Sequence, residues 1–278
     1  MRTIYAKRYA TNAVMTTLTA ACAFFAVAVL AAILGYVAYR GIGAISFRFL
    51  VETPKPVGEG GGIGNAILGS LILLASASVV GMPFGIATGI YLAEYGAGRF
   101  AALVRFLTDT LTGIPSILVG VFVYTIIVLP MKQFSAMAGG IALAVIMIPI
   151  VARTTEEMIR LVPASLREGA LALGAPQWRV TLGVVLPAAM SGIVTGAMLA
   201  VARVSGETAP LLFTAFGSRF FNVYLDQPMA SLTVQIYNYA ISPYDEWHAQ
   251  AWAATLILMT LILVINITVR FFTRGRKQ

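Results

Sequence analysis

Apolar residues in this chain are gathered into long blocks, and this pattern limits the possible folds more than any other feature. Most blocks exceed the roughly 18 residues that mark a membrane-spanning helix. Only helices and closed barrels satisfy their backbone polar groups in lipid, and barrel strands alternate between apolar and polar residues over about 10 positions. The blocks here are continuously apolar. The sequence therefore predicts an all-α polytopic membrane protein, with residues 1–278 forming one transmembrane domain.

Composition agrees with this class and argues against a soluble protein. Apolar residues make up 59% of the chain and charged residues 11%, with a mean hydropathy of +0.87. Soluble domains average about 25% charged residues. The net charge of +8 could suggest binding to nucleic acid, but the basic residues cluster at the edges of the apolar blocks. That placement is typical of membrane topology, so we expect lipid contact and no nucleic-acid partner.

Six spans are predicted, and prolines mark several of their boundaries. The first block is too long for the apolar core of a signal peptide, which runs to roughly 7–15 residues, so it is interpreted as a retained span. Prolines that should end or kink helices are Pro130, Pro149, Pro187 and Pro210. The predicted spans lie near residues 12–39, 63–93, 103–129, 136–152, 188–216 and 251–272.

The distribution of Lys and Arg between alternate loops predicts the orientation. Cytoplasmic loops carry the excess of basic residues. One set of loops and termini holds 13 of the 19 basic residues and the opposite set holds 5. The first set is Arg2, Lys7, Arg8, Arg99, Arg105, Arg153, Arg160, Arg167, Arg179, Arg270, Arg274, Arg276 and Lys277. Both termini and the loop at residues 153–187 are therefore predicted to be cytoplasmic. The remaining basic residue, Arg203, falls inside the fifth span.

The loop at residues 153–187 is predicted to contain two short helices. Pro163 suits the start of the first helix, because its missing N–H would be unpaired there. Gly174 can adopt the left-handed conformation that ends it. Pro176 then opens a second helix, which Pro187 should stop as the fifth span begins. Periodicity alone also allows an ordinary amphipathic loop that lies on the membrane surface.

A charged pair in the fifth span is the main candidate for a substrate site. Arg203 and Glu207 are four residues apart, so on a helix they share one face and can pair. Each charge costs about 2.5–3.5 kcal/mol at the bilayer centre, and intramembrane charges commonly mark a transport pathway. A guanidinium suits phosphate or carboxylate oxygens, and Thr208 adds a hydroxyl. The alternative is a buried ion pair that fixes helix packing and never contacts solute.

Other polar residues have simpler interpretations. Arg105 and Asp109 are also spaced for a helical pair, with Arg105 reaching the interface to screen the carboxylate. Arg153 is interpreted as a topology anchor, and residues 154–157 as the polar start of the cytoplasmic segment, where capping explains them. Glycines at four-residue spacing predict close helix packing; they are Gly81, Gly85, Gly89, Gly192 and Gly196.

The sequence predicts neither a catalytic site nor a metal-binding site. His248, the only histidine, is expected to be solvated in an outer loop, and no metal site is predicted. There is no nucleophile–base–acid set and no glycine-rich phosphate loop, so no catalytic residue is proposed. ATP and Mg, if they drive this protein, would be held by another chain. The outer loop at residues 217–250 is long enough for a short helix and for docking a partner.

The loop spacing resembles a known coupling motif. The resemblance lies in Glu168, Ala170 and Gly174, followed by Val184, Leu186 and Pro187. The motif resembled is the coupling motif of ABC-importer permeases, whose loop inserts into a groove of the ATPase subunit. Four residues are expected to contact the ATPase: Glu168, Ala170, Gly174 and Trp178. Gly169 departs from the motif, where alanine is usual, and should weaken the helix by roughly 1 kcal/mol.

The chain as a whole, beyond the first span, resembles the A-type permease subunit of phosphate ABC importers. The resemblance rests on the segments Gly61–Ala66, Gly89–Tyr95, Thr112–Ser116, Pro149–Glu157 and, most specifically, Ala202–Thr214. It implies a bacterial cytoplasmic membrane location and a homologous second permease. It also implies two ATPase subunits and an extracytoplasmic phosphate-binding protein. It further implies that Arg203, Glu207 and Arg153 line the translocation path.

Three rivals to phosphate import remain open. A permease for another oxyanion, such as sulfate or molybdate, belongs to the same class. A stand-alone secondary transporter or channel belongs to a different class, although the inverted halves with broken helices expected of many such proteins are not visible. A membrane-embedded enzyme lacks a convergent set of catalytic residues.

Overall fold

The computed structural model describes residues 2–274 and is almost entirely helical. Arg276 and Lys277, which contribute to the predicted orientation, lie outside the described residues. The helices are α1 (Arg2–Gly41), α2 (Phe47–Val51), α3 (Gly64–Ile90), α4 (Gly98–Gly113), α5 (Ser116–Val123), α6 (Leu129–Met131), α7 (Ala136–Arg160), α8 (Ala164–Ala172), α9 (Gln177–Val180), α10 (Leu186–Ser205), α11 (Ala209–Thr214), α12 (Leu232–Ala240) and α13 (Asp245–Arg274).

The predicted all-α membrane fold is confirmed. In the described part of the chain, five helices are long and apolar enough to span a membrane, and a bent pair of helices makes a sixth candidate. Three short π-helical segments, Tyr91–Tyr95, Tyr124–Val128 and Thr181–Val185, extend or join these helices. The loop at residues 217–250 contains the short helix that its length predicted, α12.

The third predicted span, residues 103–129, is not one continuous helix. The chain bends by 105° between Gly98–Gly113 and Ser116–Met131. Pro115 precedes α5 with φ −55° and ψ 130°, and Ile114 is also extended. The residue before a proline avoids the helical region, so Ile114 cannot continue α4. This break was missed, while Pro130 does lie at the predicted helix end, one residue before Met131.

The fourth span is longer than predicted. Helix α7 continues through Pro149 to Arg160, so neither an end near residue 152 nor a stop at Pro149 is correct. Residues 154–157 therefore lie inside a transmembrane helix and are not the capping start of a loop. A proline removes one helical hydrogen bond, and neighbouring helices can compensate for that loss in a packed bundle.

The fifth span begins and ends earlier than predicted. It runs without a break from Gln177 to Ser205, so the second short loop helix is the first part of the span. Pro187 lies in the first turn of α10, directly after the π-helical segment Thr181–Val185. Such wide turns interrupt the regular hydrogen-bond ladder, which explains how proline is accommodated without stopping the helix. After Ser205 the chain breaks, and α11 starts with Pro210 in its first turn.

The centre of the bundle is the close packing of α3 against α7. A Cβ added at Gly85 would lie 2.7 Å from Cβ of Val151, and Gly81 and Gly89 also face α7. Gly192 and Gly196 of α10 face Met158 and Thr154 on the other side of α7. The predicted packing role of these glycines is confirmed, because close helix approach leaves no room for a side chain.

Helix α1 lies at the edge of this bundle. It packs against α13 near its C-terminal end, where the rings of Tyr36 and Trp252 meet edge to face with centroids 5.3 Å apart. The span within α1 is otherwise exposed. The loop at residues 40–62 holds α2, and its glycine run folds back so that Gly62 N–H donates to the Thr53 carbonyl at 3.0 Å.

Candidate functional site

Arg203 and Glu207 form an ion pair at the end of α10. An Nη1 hydrogen of Arg203 is donated to Oε1 of Glu207. The side chain of Arg203 is 58% exposed, whereas that of Glu207 is 7% exposed. The predicted pairing is confirmed, but the two residues do not share one continuous helix. Glu207 follows Gly206, which ends α10, so the carboxylate comes from the break between α10 and α11.

The position of Glu207 is fixed by its backbone. Its N–H donates to the Val204 carbonyl at 3.1 Å, and its own carbonyl accepts a hydrogen bond of 2.9 Å from Thr233 Oγ1. A buried carboxylate is costly unless it is paired. Arg203 supplies that pairing through Nη1, and its side chain is otherwise more than half exposed. The arrangement can bind an anion without separating the ion pair, because arginine has five donors.

Arg153 lies in a different charged group from Arg203. Its Nη1 is 2.8 Å from Oδ1 of Asp109, and its Nε donates to Oε1 of Glu157 at 3.1 Å. All three side chains are at least half exposed. Arg153 is thus a paired residue on the surface of α7, and the structure does not bring it into contact with the Arg203 pair.

The two arginines lie at different depths along the bundle. Helices α7 and α10 are antiparallel, since Gly196 faces Thr154 while Gly192 faces Met158. In that register Arg153 is level with residue 197. Arg203 is six residues further along α10, or about 9 Å at 1.5 Å per residue. Arg203 is on the outer side of Arg153 if the loop after α7 is cytoplasmic, as predicted.

The predicted pair of Arg105 and Asp109 is wrong. Arg105 Nε donates to Oε1 of Glu156 at 2.9 Å, and its Nη2 donates to the Leu92 carbonyl at 2.7 Å. Asp109 pairs with Arg153 instead. Helical spacing makes a local pair possible, but both residues pair with α7, where Arg105 neutralises the buried Glu156 and Arg153 pairs with Asp109. These partners could not be deduced from spacing within α4.

The loop between α7 and α10 presents an exposed helix. Helix α8 buries none of its residues, and Gly174 ends it with φ +78°, as the sequence predicted. Glu168 is exposed, and Trp178 is 54% exposed. Ala170 differs from them, because it is half-buried and packs toward the buried cluster that contains Ile159. Three of the four predicted docking residues therefore face outward.

A further cluster was missed by the sequence analysis. Arg167, which directly precedes Glu168, donates from Nε to Oε1 of Glu94 at 3.0 Å. Glu94 is 7% exposed. An acidic residue at the end of an apolar block needs a partner, and this was the available signal. Among the weaker sites, the His248 side chain is 41% exposed to solvent, as predicted, and its Nε2 lies 2.7 Å from the Ser242 carbonyl oxygen.

A large open cavity lies beside the helix that carries Arg203. It has a volume of about 890 Å³ and is formed by α7, α10 and α13. Its walls are mainly apolar, and it includes Ala202, the neighbour of Arg203. Polar groups on its walls come from Thr154, Ser191, Thr195 and Asn266.

Comparison with known proteins places this architecture in a family. Residues 85–278 match the family described as "Binding-protein-dependent transport system inner membrane component". The phosphate transport system permease protein PstA of Yersinia pestis is 49% identical over 241 residues, which cover 86% of this chain and 82% of that protein. The PstA protein of Pasteurella multocida is 44% identical over 263 residues, covering 94% of each chain.

Solved structures agree on the fold. An inward-facing crystal structure of the MetNI methionine ABC transporter has a chain that matches with a TM-score of 0.64 at 20% identity. The match covers 78% of this chain and 98% of that one. The helical bundle, the extent of the family match and the high identity to the PstA proteins lead to one conclusion. The chain belongs to the family of binding-protein-dependent transport system inner membrane components, multi-pass proteins of the inner membrane.

Proposed function

We propose that this chain is the permease subunit through which an ATP-driven importer carries inorganic phosphate across the inner membrane. The observation that carries the proposal is the Arg203–Glu207 pair. Its guanidinium is more than half exposed although it lies within the fifth span. The relatives of this chain are phosphate transport permeases. Charges in a span are costly, and the usual reason for retaining them is a transport pathway.

The pair suits an anion that must bind and then leave. Arginine offers paired N–H groups that match two phosphate oxygens, and Thr208 follows directly after Glu207 with a hydroxyl group. Glu207 keeps the local charge near neutral. An unpaired arginine in a low-dielectric site would hold a dianion tightly and slow its release. Glu207 therefore lowers the affinity of the site to a level that permits transport.

Arg153 is proposed as a second station for the anion. It lies about 9 Å along the bundle from Arg203, calculated from the helical rise. Asp109 and Glu157 moderate its charge in the same way, with contacts of 2.8 and 3.1 Å. Two moderated cationic sites in series allow an anion to pass from one to the next without a deep energy minimum between them.

The exposed loop is proposed as the site where the ATPases dock. Glu168, Gly174 and Trp178 present an accessible surface, and Ala170 seats α8 on the bundle. In this proposal both termini are cytoplasmic, and ATP and Mg bind to two partner ATPase subunits. A homologous second permease completes the pore, and an extracytoplasmic binding protein delivers phosphate. The chain itself is not an enzyme and carries no catalytic residue.

Uptake of labelled phosphate in cells whose only copy of this chain carries Arg203→Gln tests the proposal. Labelled sulfate serves as a solute control, and Arg48→Gln, at an exposed arginine of the outer helix α2, serves as the matched variant. We expect phosphate uptake to be lost in Arg203→Gln while the ATPase still co-purifies, and to persist in Arg48→Gln.

Three results would overturn the proposal. Unchanged phosphate uptake in Arg203→Gln would leave the pair as a packing element. Uptake of sulfate or molybdate in place of phosphate by the unaltered complex would assign a different oxyanion. Liposomes that contain this chain without ATPase subunits test the stand-alone hypothesis. Phosphate transport in these liposomes would identify the chain as a secondary transporter or channel.

A further inference from the structure

Arg167 connects the exposed helix α8 to two transmembrane helices at once. Its Nε donates to Oε1 of Glu94 at 3.0 Å, and its Nη2 lies 2.9 Å from the same oxygen. The Nη1 group donates to the Val162 carbonyl and Nη2 donates to the Ile159 carbonyl, each at 2.7 Å. The side chain is 23% exposed, so water screens these bonds only in part.

Two of these bonds reach backbone carbonyls at the end of α7, and the third reaches a buried carboxylate. Ile159 is in the last turn of α7, and its carbonyl also accepts from the Val162 N–H at 3.1 Å. Val162 follows the helix end, where backbone carbonyls have no N–H donor from the helix. A cation near a helix C-terminus is also favoured by the helix dipole. Glu94 is almost completely buried at the end of the span that begins with α3, so it needs a cationic partner.

The segment around Glu94 is held from several sides. Arg105 donates to the Leu92 carbonyl at 2.7 Å, and its Nε reaches the buried Glu156 of α7 at 2.9 Å. Gln177, at the start of the fifth span, donates to the Glu94 carbonyl at 3.1 Å. The end of the second span is therefore tied to α4, α7 and the fifth span. Arg167 is the contact that adds α8 to this group.

We propose that Arg167 is the positioning residue that transmits displacement of α8 to the second and fourth spans. This inference rests on the proposed docking of ATPase subunits at α8. A helix with no buried residue can move relative to the bundle unless specific contacts hold it, and Arg167 provides three hydrogen-bonded connections from one rigid guanidinium. Lysine can replace it only in part, because a single ammonium group lacks the planar, divergent donors.

The experiment uses the complete transporter, with ATPase subunits and binding protein, reconstituted in liposomes. Phosphate transported per ATP hydrolysed is measured for Arg167→Gln, Arg167→Lys and Glu94→Gln. Arg160→Gln is the matched control, because Arg160 is more than half exposed and its partner Glu156 retains Arg105. We expect the ratio of phosphate transported to ATP hydrolysed to fall about tenfold in Arg167→Gln, because the loss of one charge-assisted hydrogen bond has an effect of this size. ATP hydrolysis and ATPase co-purification should persist.

A double-mutant cycle distinguishes transmission of α8 displacement by Arg167 from a role of Arg167 in stabilising the complex. The combined Arg167→Gln and Glu94→Gln change should lower the ratio no further than Arg167→Gln alone, since both remove one shared contact. Arg167→Lys should give an intermediate ratio. An unchanged ratio, additive losses, or a decline that merely follows the amount of assembled complex would each overturn the inference.

A parallel variant distinguishes failure of the Arg167 inference from failure of the proposed ATPase docking on which it rests. Trp178→Ala is measured in parallel for ATPase co-purification. Loss of co-purification in Trp178→Ala with a normal ratio in Arg167→Gln would retain the docking site and reject Arg167 as the transmitting residue. Normal co-purification and a normal ratio in both variants would reject the docking proposal and the inference together.

Discussion

Glu207 pairs with Arg203 from beyond the end of the helix that carries the arginine. The carboxylate is 7% exposed and the guanidinium is 58% exposed, so the pair is asymmetric. The buried member is fixed by backbone contacts to Val204 and Thr233. The exposed member keeps donors that can meet an anion. This asymmetry predicts different roles for the two residues in transport.

Glu207→Gln should slow release of phosphate rather than impair its entry. The amide preserves the shape and one acceptor but removes the negative charge, so Arg203 attracts the anion more strongly. We expect the maximal rate of uptake to fall about tenfold, equivalent to about 1.4 kcal/mol of added retention. The concentration for half-maximal uptake should not rise. Initial rates over a range of phosphate concentrations test this, and a raised half-maximal concentration at an unchanged maximal rate would contradict it.

Glu156 should contribute more to stability than Asp109. The Glu156 carboxylate is 6% exposed and contacts both Arg105 and Arg160, at 2.9 and 2.6 Å. Glu156→Ala leaves the half-buried Arg105 without its carboxylate, at a cost of about 1–3 kcal/mol. Asp109→Ala is the comparison, because Asp109 and its partner Arg153 are both more than half exposed and such pairs contribute about 0–1 kcal/mol.

Thermal unfolding of the two variants in detergent gives the measurement. The midpoint for Glu156→Ala should be clearly lower than that for Asp109→Ala. Equal midpoints would show that Arg105 is adequately held by the backbone carbonyls of Leu92 and Gly96.

The glycine contacts between α3 and α7 should tolerate no added methyl group. A Cβ at Gly85 would lie 2.7 Å from Cβ of Val151, whereas one at Gly35 of α1 meets no atom within 4 Å. Overpacking a tight contact costs about 1–3 kcal/mol. Gly85→Ala should therefore lower the unfolding midpoint, and Gly35→Ala should leave it unchanged or raise it slightly. The reverse order would mean that α3 and α7 pack less closely than described.

The sequence predicted the features that depend on composition and local spacing. The apolar blocks indicated the helical membrane class, and the φ of +78° at Gly174 follows from its place at the end of α8. The four-residue glycine spacing predicted close packing without naming the partner helix. These features depend on the periodicity of one helix or on one backbone conformation, which the residues themselves specify.

The errors arose where distant parts of the chain meet. Arg105 is spaced to pair with Asp109, yet it pairs with Glu156, which is 51 residues away. Pro149 was expected to end or kink a helix and Pro187 to stop one, but packing and a preceding π-helical segment allow the helices to continue through them. A proline or a charge has several local solutions, and tertiary contacts that are invisible in a single sequence choose among them.

Two glycines in the exposed loop should respond to alanine in opposite ways. Gly169 lies within α8 and Gly174 ends that helix, and an added Cβ at either position meets no atom within 4 Å. Steric contact therefore cannot distinguish them, and only backbone conformation can. Gly174 has φ +78°, where alanine costs about 1–2 kcal/mol. Gly169 has no positive φ, so alanine should stabilise the helix by about 0.5–1 kcal/mol.

Hydrogen exchange over residues 164–175 in the solubilised complex measures this difference directly, because local opening of α8 governs exchange there. Gly169→Ala should slow exchange by up to about fivefold and Gly174→Ala should accelerate it by about tenfold. If both variants slowed exchange, the left-handed turn at Gly174 would not be needed to end α8. Faster exchange in Gly169→Ala would mean instead that Gly169 serves a contact with a partner subunit and not the helix itself.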